Sequence, residues 1–436
     1  MQLLIAAGNQ DDINTYGNLP GTFDVGGISL SQRALRSAHL AGITHAIVMA
    51  PRDHKIVHAL QHDRILKDMH LSFVHDAPAL DQISTQQLAE LPGLQEEFIF
   101  APGDRVLTPA ILKDLLKSPN ATAMFDADNT LIAAKLTPGH IEELDLCADA
   151  TTIAHNLHIT RSTTKAPALL SVRTQEDAAT AKEALFKTLR KPLTRSGDGL
   201  TAYLINRPIS LTVSRQLIKL PVTPNHVTFL NLLLGIYAGY MLASGNFMGI
   251  AIGAFLMQLV SIFDGIDGEL ARMKLLQSPL GAWFDVVGDD VVRVATIAGL
   301  GISCYKLNPD PIYLWAMAAG TFGILSTVFT LYRDLKDDNN ASLNSVKWFF
   351  EEEGRKPSLW QNFLIILSLI LKRDTYTLIL MAIAAMGYPQ VALFAMIVGI
   401  CIITTTHFIQ KLIGLLKGDQ ADVALSAQEA KEMSRA

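Results

Sequence analysis

Residues Asp264 to Asp289 read DGIDGELARMKLLQSPLGAWFDVVGD, and this stretch separates two long apolar segments. It carries four carboxylates, at Asp264, Asp267, Asp285 and Asp289. Within each pair the spacing is i,i+3 or i,i+4, so in helices each pair projects from one face. Ionisable side chains at membrane depth are costly and face a protein or water-filled interior, which indicates a functional site.

The four carboxylates predict a metal centre on electrostatic grounds. Two carboxylates about 4 Å apart repel by roughly 4 kcal/mol at an effective dielectric constant of about 20. Four converging carboxylates therefore require either protonation of some of them or a divalent cation between them. Oxygen ligand sets of this kind suit Mg²⁺ or Mn²⁺.

Composition places much of the chain in a membrane. The 436 residues are 50% hydrophobic, the mean hydropathy is +0.27, and the apolar residues are concentrated after about Val227. The net charge of −5 gives no indication of nucleic-acid binding, and the three cysteines lack metal-ligand spacing. The first residues, MQLLIAAGN, have no basic region and are typical of a strand, so we expect no cleavable signal peptide.

The N-terminal part is predicted to be a soluble α/β domain, residues 1–190. Short apolar runs that favour strands alternate with helical patterns, which indicates a mainly parallel sheet covered by helices. We expect strands at Leu3–Ala7, Ala46–Met49 and Glu97–Ala101, and helices at Ser31–Ala41 and from about Pro109.

This domain resembles the sugar-nucleotide nucleotidyltransferases, whose fold is Rossmann-like. The resemblance is carried by Ala6-Ala7-Gly8, Gly26-Gly27-Ile28-Ser29-Leu30, Ala41-Gly42-Ile43 and Gly103-Asp104. It implies a triphosphate-binding first loop, a lysine shortly after it, and metal-binding aspartates.

The chain departs from that pattern at the positions that would bind the triphosphate and the metal. The first loop continues as Asn9-Gln10-Asp11-Asp12, Gly21 follows Leu19-Pro20 where a lysine is usual, and Ser171-Val172-Arg173 replaces a segment with a metal-binding aspartate. Acidic groups and a missing lysine are unsuited to a polyphosphate anion. We therefore predict a catalytically degenerate domain in which Asp104 is a residual metal-binding candidate.

A linker with an amphipathic juxtamembrane helix is predicted over residues 191–222. Arg207, Arg215 and Lys219 alternate with apolar residues around Val213–Leu220, which favours a helix on an anionic membrane surface. An ordinary linker helix is the alternative.

The membrane domain, residues 223–417, is predicted to have six transmembrane helices, followed by a polar tail at 418–436. Lys and Arg concentrate in the loops after the second and fourth spans, so both termini and the aspartate site should face the cytoplasm of a cell inner membrane. The predicted spans are Val227–Ala243, Phe247–Phe263, Gly281–Ser303, Ile312–Leu331, Thr375–Met386 and Val391–Leu415.

The aspartate stretch resembles the signature of the CDP-alcohol phosphotransferase family at every fixed position, from Asp264-x-x-Asp267-Gly268 to Gly281-x-x-x-Asp285-x-x-x-Asp289. The resemblance implies two Mg²⁺ or Mn²⁺ ions per site, held by the four aspartates, with Asp289 also acting as general base. It implies that an acceptor hydroxyl attacks the β-phosphorus of a CDP-alcohol and that CMP leaves. The implied CDP-binding residues are Asp267, Gly268, Ala271, Arg272 and Gly281.

Charged residues near the predicted site and at the ends of the predicted spans are assigned roles from their sequence positions. Asp290 would point away from Asp289 on a helix, and we expect it to pair with Arg293 or with water. Arg293, Arg333 and Arg373 are candidates for holding an acceptor phosphate, although Arg333 and Arg373 serve equally well as topology-setting charges. The family resemblance also implies a homodimer.

The order of the two domains resembles the bifunctional inositol-1-phosphate cytidylyltransferase/di-inositol-phosphate phosphate synthases. The main hypothesis is a membrane transferase for polar-lipid synthesis, using CDP-diacylglycerol or a CDP-inositol type of donor and an alcohol acceptor. The first alternative is a bifunctional enzyme that also makes its own CDP-alcohol. The second is a non-catalytic, nucleotide-sensing membrane module.

Overall fold

The computed structural model describes residues 1–7, 18–51, 55–75, 97–118, 121–125, 131–137, 160–163, 171–190, 198–337, 372–402 and 404–405. The chain forms two compact units that do not follow its linear order. The α/β unit consists of Met1–Arg190, Val213–Thr223 and Gly268–Gln277. The helical unit consists of Lys191–Thr212, Pro224–Asp267 and Ser278–Ala436. The predicted domain boundaries stay predictions.

A seven-stranded sheet is the framework of the α/β unit, with the strand order β3-β2-β1-β4-β6-β5-β7. Strand β6 runs antiparallel to β4 and β5, and the other neighbouring pairs are parallel, so the predicted mainly parallel sheet is confirmed. The strands are β1 (Gln2–Ala6), β2 (His45–Met49), β3 (His70–Val74), β4 (Phe98–Pro102), β5 (Thr122–Phe125), β6 (Leu131–Leu136) and β7 (Thr160–Thr163).

Local sequence explains the boundaries of the helices in this unit. Ser29 and Gln32 form a capping box at the start of the first helix, and Gly42 ends it in the left-handed conformation with φ of 92°. The predicted helices and strands of the first 117 residues are confirmed to within two residues. The helices are α1 (Leu30–Ala41), α2 (Lys55–Gln61), α3 (Pro109–Lys117) and α4 (Gln175–Leu189).

Long helices follow from residue 207 onward. They are α5 (Arg207–Leu217), α6 (Pro224–Leu242), α7 (Phe247–Met273), α8 (Pro279–Leu307), α9 (Ile312–Asp337), α10 (Arg373–Ala385) and α11 (Pro389–Ile402). Phe247–Met273 and Ile312–Phe329 are the two described helices that are long and apolar enough to cross a membrane. The six-span topology stays a prediction.

Helices α6 and α8 pack closely because small residues line their contact. A Cβ atom built on Gly239 would lie 2.7 Å from the Ala295 carbonyl oxygen, and one on Gly235 would clash with Val292. The spacing of Gly235 and Gly239 is the small-xxx-small pattern that lets helix backbones approach each other. This contact fixes α8, which carries two of the signature aspartates, within the helical unit.

Candidate metal centre

The helix α8, which carries two of the signature aspartates, has a well-defined start. Ser278 caps α8, its hydroxyl accepting a hydrogen bond from the Gly281 amide at 3.0 Å, and Pro279 occupies the first turn. Asp285 and Asp289 follow on one face of α8, and Asp264 lies in the second half of α7. Two helices thus supply acidic side chains from two directions.

Three of the predicted aspartates converge. One carboxylate oxygen from each of Asp264, Asp285 and Asp289 lies within 4.8 Å of the others, and all three residues are half-buried. In an octahedral Mg²⁺ site with bonds of about 2.1 Å, opposite ligand oxygens are about 4.2 Å apart. The three carboxylates therefore fit one hard divalent cation with little adjustment.

Asp267, the fourth predicted ligand, has a separate partner. It is buried, and its Oδ2 accepts a hydrogen bond from the hydroxyl of Thr228 on α6 at 2.6 Å. The hydrogen bond fixes the orientation of the carboxylate, as hydrogen-bond partners of metal ligands commonly do. Thr228 was missed by the sequence analysis, since a threonine in an apolar segment carries no signal. The role of Asp267 as ligand stays a prediction.

The predicted CDP-binding residues lie next to the aspartates along the chain. Gly268, Ala271 and Arg272 occupy the last two turns of α7, and Gly281 lies in the first turn of α8. A Cβ atom on Gly268 would lie 3.6 Å from the Arg272 guanidinium, and one on Gly281 would lie 3.0 Å from the Ser278 hydroxyl. A glycine carries no side chain that would keep a ligand away from the helix backbone.

A cavity in the helical unit opens beside the aspartates. Asp264, Asp289 and Arg293 line it, together with three polar residues of α10 that the sequence analysis missed, Asp374, Tyr376 and Thr377. These three lie far from the aspartates along the chain, so their sequence position gives no indication that they reach them. The remaining lining residues are Met257, Val260, Ser261, Val292, Thr296 and Met396.

Arg293 has the partner that the sequence predicts. Its Nη2 lies 2.7 Å from Asp290 Oδ1, which confirms that pair, and its buried Nε has no hydrogen-bond partner among the described residues. Arg293 thus brings a guanidinium group that is paired with Asp290 to the lining of the cavity. The side chains of Arg333 and Arg373 lie outside the described part of the structure.

Asp104, the residual metal candidate of the α/β unit, is surrounded by cations. Its Oδ2 accepts hydrogen bonds from Arg173 Nε at 2.8 Å and from the Ser171 hydroxyl at 2.6 Å. Arg105 Nε lies 3.3 Å from its Oδ1. Arg173 belongs to the segment where the nucleotidyltransferase pattern has an aspartate. In this chain a cation therefore lies beside the Asp104 carboxylate. Metal binding by Asp104 stays a prediction.

Residues 221–409 match the model of the CDP-alcohol phosphatidyltransferase family. The matched range contains all four signature aspartates and every residue of the cavity. The C-terminal part of the chain therefore matches the CDP-alcohol phosphatidyltransferase family, as the aspartate signature predicts.

Curated relatives match part of the chain. The chain is 32% identical over 164 residues to "Bifunctional IPC transferase and DIPP synthase" of Aquifex aeolicus, covering 38% of this chain and 36% of the relative. It is 34% identical over 162 residues to the protein of the same name from Thermococcus kodakarensis, covering 37% and 35%. The alignments thus span about a third of the length of these relatives.

Solved structures resemble the N-terminal part. A UDP-glucose pyrophosphorylase complexed with UDP-glucose matches with a TM-score of 0.34 and 13% identity, covering 43% of this chain and 98% of that chain. HddC from Yersinia pseudotuberculosis matches with a TM-score of 0.31 and 14% identity, covering 42% and 98%.

Proposed function

We propose that the protein is an integral-membrane, metal-dependent CDP-alcohol phosphotransferase that moves a substituted phosphate from a CDP-alcohol to an acceptor hydroxyl and releases CMP. The observation that carries the proposal is the convergence of Asp264, Asp285 and Asp289 inside the segment that matches the family. Three half-buried carboxylates repel one another strongly, and a bound cation offsets that repulsion.

The proposed reaction assigns each aspartate a task. Asp264, Asp285 and Asp289 would hold Mg²⁺ or Mn²⁺, and Asp267 would complete a second ion's ligand set. Such ions stabilise charge on the attacking and leaving oxygens of an in-line phosphoryl displacement. Asp289 takes the proton of the acceptor hydroxyl, whose oxygen forms a bond to the β-phosphorus of the donor. The bond from that phosphorus to the CMP oxygen breaks, and CMP leaves with the electron pair.

The residues around the aspartates support a donor and an acceptor side. Gly268, Ala271, Arg272 and Gly281 would contact the CDP group, with Arg272 as a permanent cation for a phosphate. The cavity beside Asp289 would take the acceptor, because its lining combines Arg293 with the carboxylate and hydroxyl groups of α10. This lining suits a polar alcohol that carries a phosphate, such as an inositol phosphate or glycerol phosphate.

A bifunctional enzyme that also makes its own CDP-alcohol is the second candidate. The names of the relatives, bifunctional transferase and synthase, favour it. The resemblance to the inositol-1-phosphate cytidylyltransferase/di-inositol-phosphate phosphate synthases favours a donor of the CDP-inositol type over CDP-diacylglycerol. The arginines beside Asp104 weigh against the first activity, because they supply the positive charge that a metal would otherwise bring. A non-catalytic nucleotide-sensing module leaves the converging aspartates without a role.

The proposal includes the predicted cellular setting. Six spans in the cell inner membrane, with both termini and the aspartates on the cytoplasmic side, would give the site access to cytoplasmic nucleotides and to lipid. The two described helices of sufficient length and apolarity support membrane insertion. A homodimer is part of the proposal on family grounds.

The decisive experiment supplies the full-length purified protein with CDP-inositol or CDP-diacylglycerol and a panel of alcohols, including inositol phosphate and glycerol phosphate. We expect CMP release that requires Mg²⁺ or Mn²⁺ and stops on chelation. Metal-dependent CMP release excludes the nucleotide-sensing module, and its absence with every donor contradicts the proposal. Pyrophosphate release from CTP and inositol phosphate by the same preparation would favour the bifunctional enzyme.

A further inference from the structure

The C-terminal end of α7 has an unusual backbone conformation. Leu275, two residues after the helix ends, has a φ of 52°, the one positive φ at a non-glycine residue in the described ranges. The Leu276 amide donates to the Ala271 carbonyl oxygen at 2.9 Å, which closes the helix end in the manner of a Schellman motif. Glycine is the usual residue here, because a left-handed conformation is unfavourable for a residue with a Cβ atom. Backbone outliers of this kind persist only where surrounding contacts hold them.

Two buried arginines of α1 make such contacts. Arg33 donates to the carbonyl oxygens of Val25, at 2.7 Å, and of Met273. Arg36 donates to the Lys274 carbonyl oxygen at 2.7 Å, and its Nη2 lies 2.9 Å from Asp63. Burial lowers the pKa of Arg33 to about 10, so the guanidinium stays charged at neutral pH. Charged donors thus satisfy two carbonyl groups at the end of a helix whose last carbonyls have no partner within the helix.

The glycine turn before α1 fits the same helix end. Gly26 and Gly27 have φ of 76° and 81°, a conformation that favours glycine. A Cβ atom on Gly26 would lie 2.8 Å from Met273 Cε, and one on Gly27 would lie 2.7 Å from the Ile218 carbonyl oxygen. Gly26 and Gly27 belong to the motif by which the domain resembles nucleotidyltransferases. They therefore pack against the end of α7 and the segment after α5.

The other side of the helix end is held by residues 213–223. Lys274 Nζ donates to the carbonyl oxygens of Leu220 at 2.7 Å and Val222 at 3.0 Å. Glu269, which is fully buried and follows Gly268, accepts a hydrogen bond from the Ser214 hydroxyl at 2.7 Å. The last two turns of α7 are thus held on two sides within the α/β unit.

We propose that Arg33 and Arg36 are positioning residues for the CDP group of the donor. They hold the turn at Met273–Leu275 and thereby the orientation of Arg272, the residue immediately before it. A guanidinium that is already oriented loses less conformational freedom when it binds a phosphate, so the α/β unit would raise the affinity for the CDP group. This inference rests on the proposed function and gives the nucleotidyltransferase-like domain a task that needs no catalysis of its own.

The test titrates CDP, with Mg²⁺ present, into the full-length protein and into Arg33→Met and Arg33→Lys, and it measures steady-state CMP release alongside. We expect the dissociation constant for CDP to rise about tenfold in Arg33→Met and less in Arg33→Lys, because charge-assisted hydrogen bonds are lost or weakened. The KM for the CDP-alcohol should rise in parallel while kcat changes less than about threefold. This pattern is expected when an interaction that stabilises the bound substrate and the transition state equally is lost.

A matched control separates positioning from general damage to the domain. Arg105 is also a buried arginine of the α/β unit, but its partner is Asp104. We expect Arg105→Met to leave the dissociation constant for CDP unchanged. An equal loss of affinity in Arg105→Met overturns the inference, and so does unchanged CDP affinity in Arg33→Met.

A second variant covers the case in which Arg33→Met does not fold, judged by the absence of a cooperative thermal transition. Lys274→Met keeps the length of a buried side chain and removes the two hydrogen bonds to Leu220 and Val222. Weaker CDP binding with unchanged kcat supports the inference, and unchanged CDP affinity overturns it. Absence of CMP release from the unmutated protein contradicts the proposed function instead, since that result does not depend on these variants.

Discussion

The α/β unit and the helical unit each contain an acidic site, and the two sites balance their charge in opposite ways. Asp104 lies against two guanidinium groups, at 2.8 Å and 3.3 Å, so its negative charge is matched within the unit. Asp264, Asp285 and Asp289 lie against one another, with oxygens within 4.8 Å. The same residue type, aspartate, therefore predicts different chemistry in the two units. Asp104 belongs to an internal ion pair, whereas the three aspartates of the helical unit call for a cation from solution.

The largest effect should come from Asp289→Asn. An amide cannot accept the proton of the acceptor hydroxyl, and it is a poorer metal ligand than a carboxylate. We expect CMP release to fall by about 10²- to 10⁴-fold, the usual contribution of a general base. The measurement is the rate of CMP formation by variant and unmutated protein of equal thermal stability.

Asp114→Asn is the control for Asp289→Asn, because Asp114 is an exposed residue of α3. It should form CMP at the unmutated rate. Full activity in Asp289→Asn would contradict the assignment of Asp289 as general base. It would also contradict the different chemistry that is inferred for the two acidic sites.

An intermediate effect is expected for Thr228→Val, which removes the donor to Asp267 and keeps the shape of the side chain. Loss of a group that orients a metal ligand typically costs about 10- to 100-fold in metal affinity or activity. The Mg²⁺ concentration for half-maximal CMP release should rise accordingly. Thr212→Val, at an exposed hydroxyl that donates to the Pro208 carbonyl, is the control. An unchanged Mg²⁺ requirement in Thr228→Val would indicate that Asp267 does not act on the metal.

The smallest effect is expected at the other acidic site. Arg173→Met removes a hydrogen bond from a charged donor to buried Asp104, while Ser171 and Arg105 remain. The Arg173 side chain is 41% exposed, so solvent screening reduces its contribution, and we expect a loss of about 1–2 kcal/mol in the free energy of unfolding. Thermal unfolding of the full-length protein measures this loss.

Arg64→Met, at an exposed arginine, is the control for Arg173→Met and should leave the melting temperature unchanged. CMP release should stay near the unmutated rate in both variants. A large loss of CMP release in Arg173→Met alone would show that the Asp104 site takes part in the transfer reaction.

Local patterns were sufficient for β1, β2, β4, α1 and the start of α3, because alternation, caps and turn residues act over a few positions. The helix α2 and the strands β3, β5, β6 and β7 were not assigned from sequence, and the antiparallel direction of β6 depends on its pairing with β4 and β5. The juxtamembrane helix was predicted at Val213–Leu220 but runs over Arg207–Leu217 after a π-helical turn at Ala202–Asn206. Arg207 and Arg215 have protein partners, Asp198 and Glu183, and membrane binding by this helix stays a prediction.

The sequence by itself predicted the proposed reaction class through the resemblance of its aspartate signature to a family, and helical spacing predicted the face from which each carboxylate projects. Only the tertiary structure decided which three aspartates meet, that Thr228 supports Asp267, and that Arg33 reaches Met273, 240 positions along the chain. The physical reason is the distance along the chain over which each kind of interaction acts. Helical periodicity acts over one or two turns, whereas contacts between distant segments depend on how close-packed helices and sheets come together, which no single segment encodes.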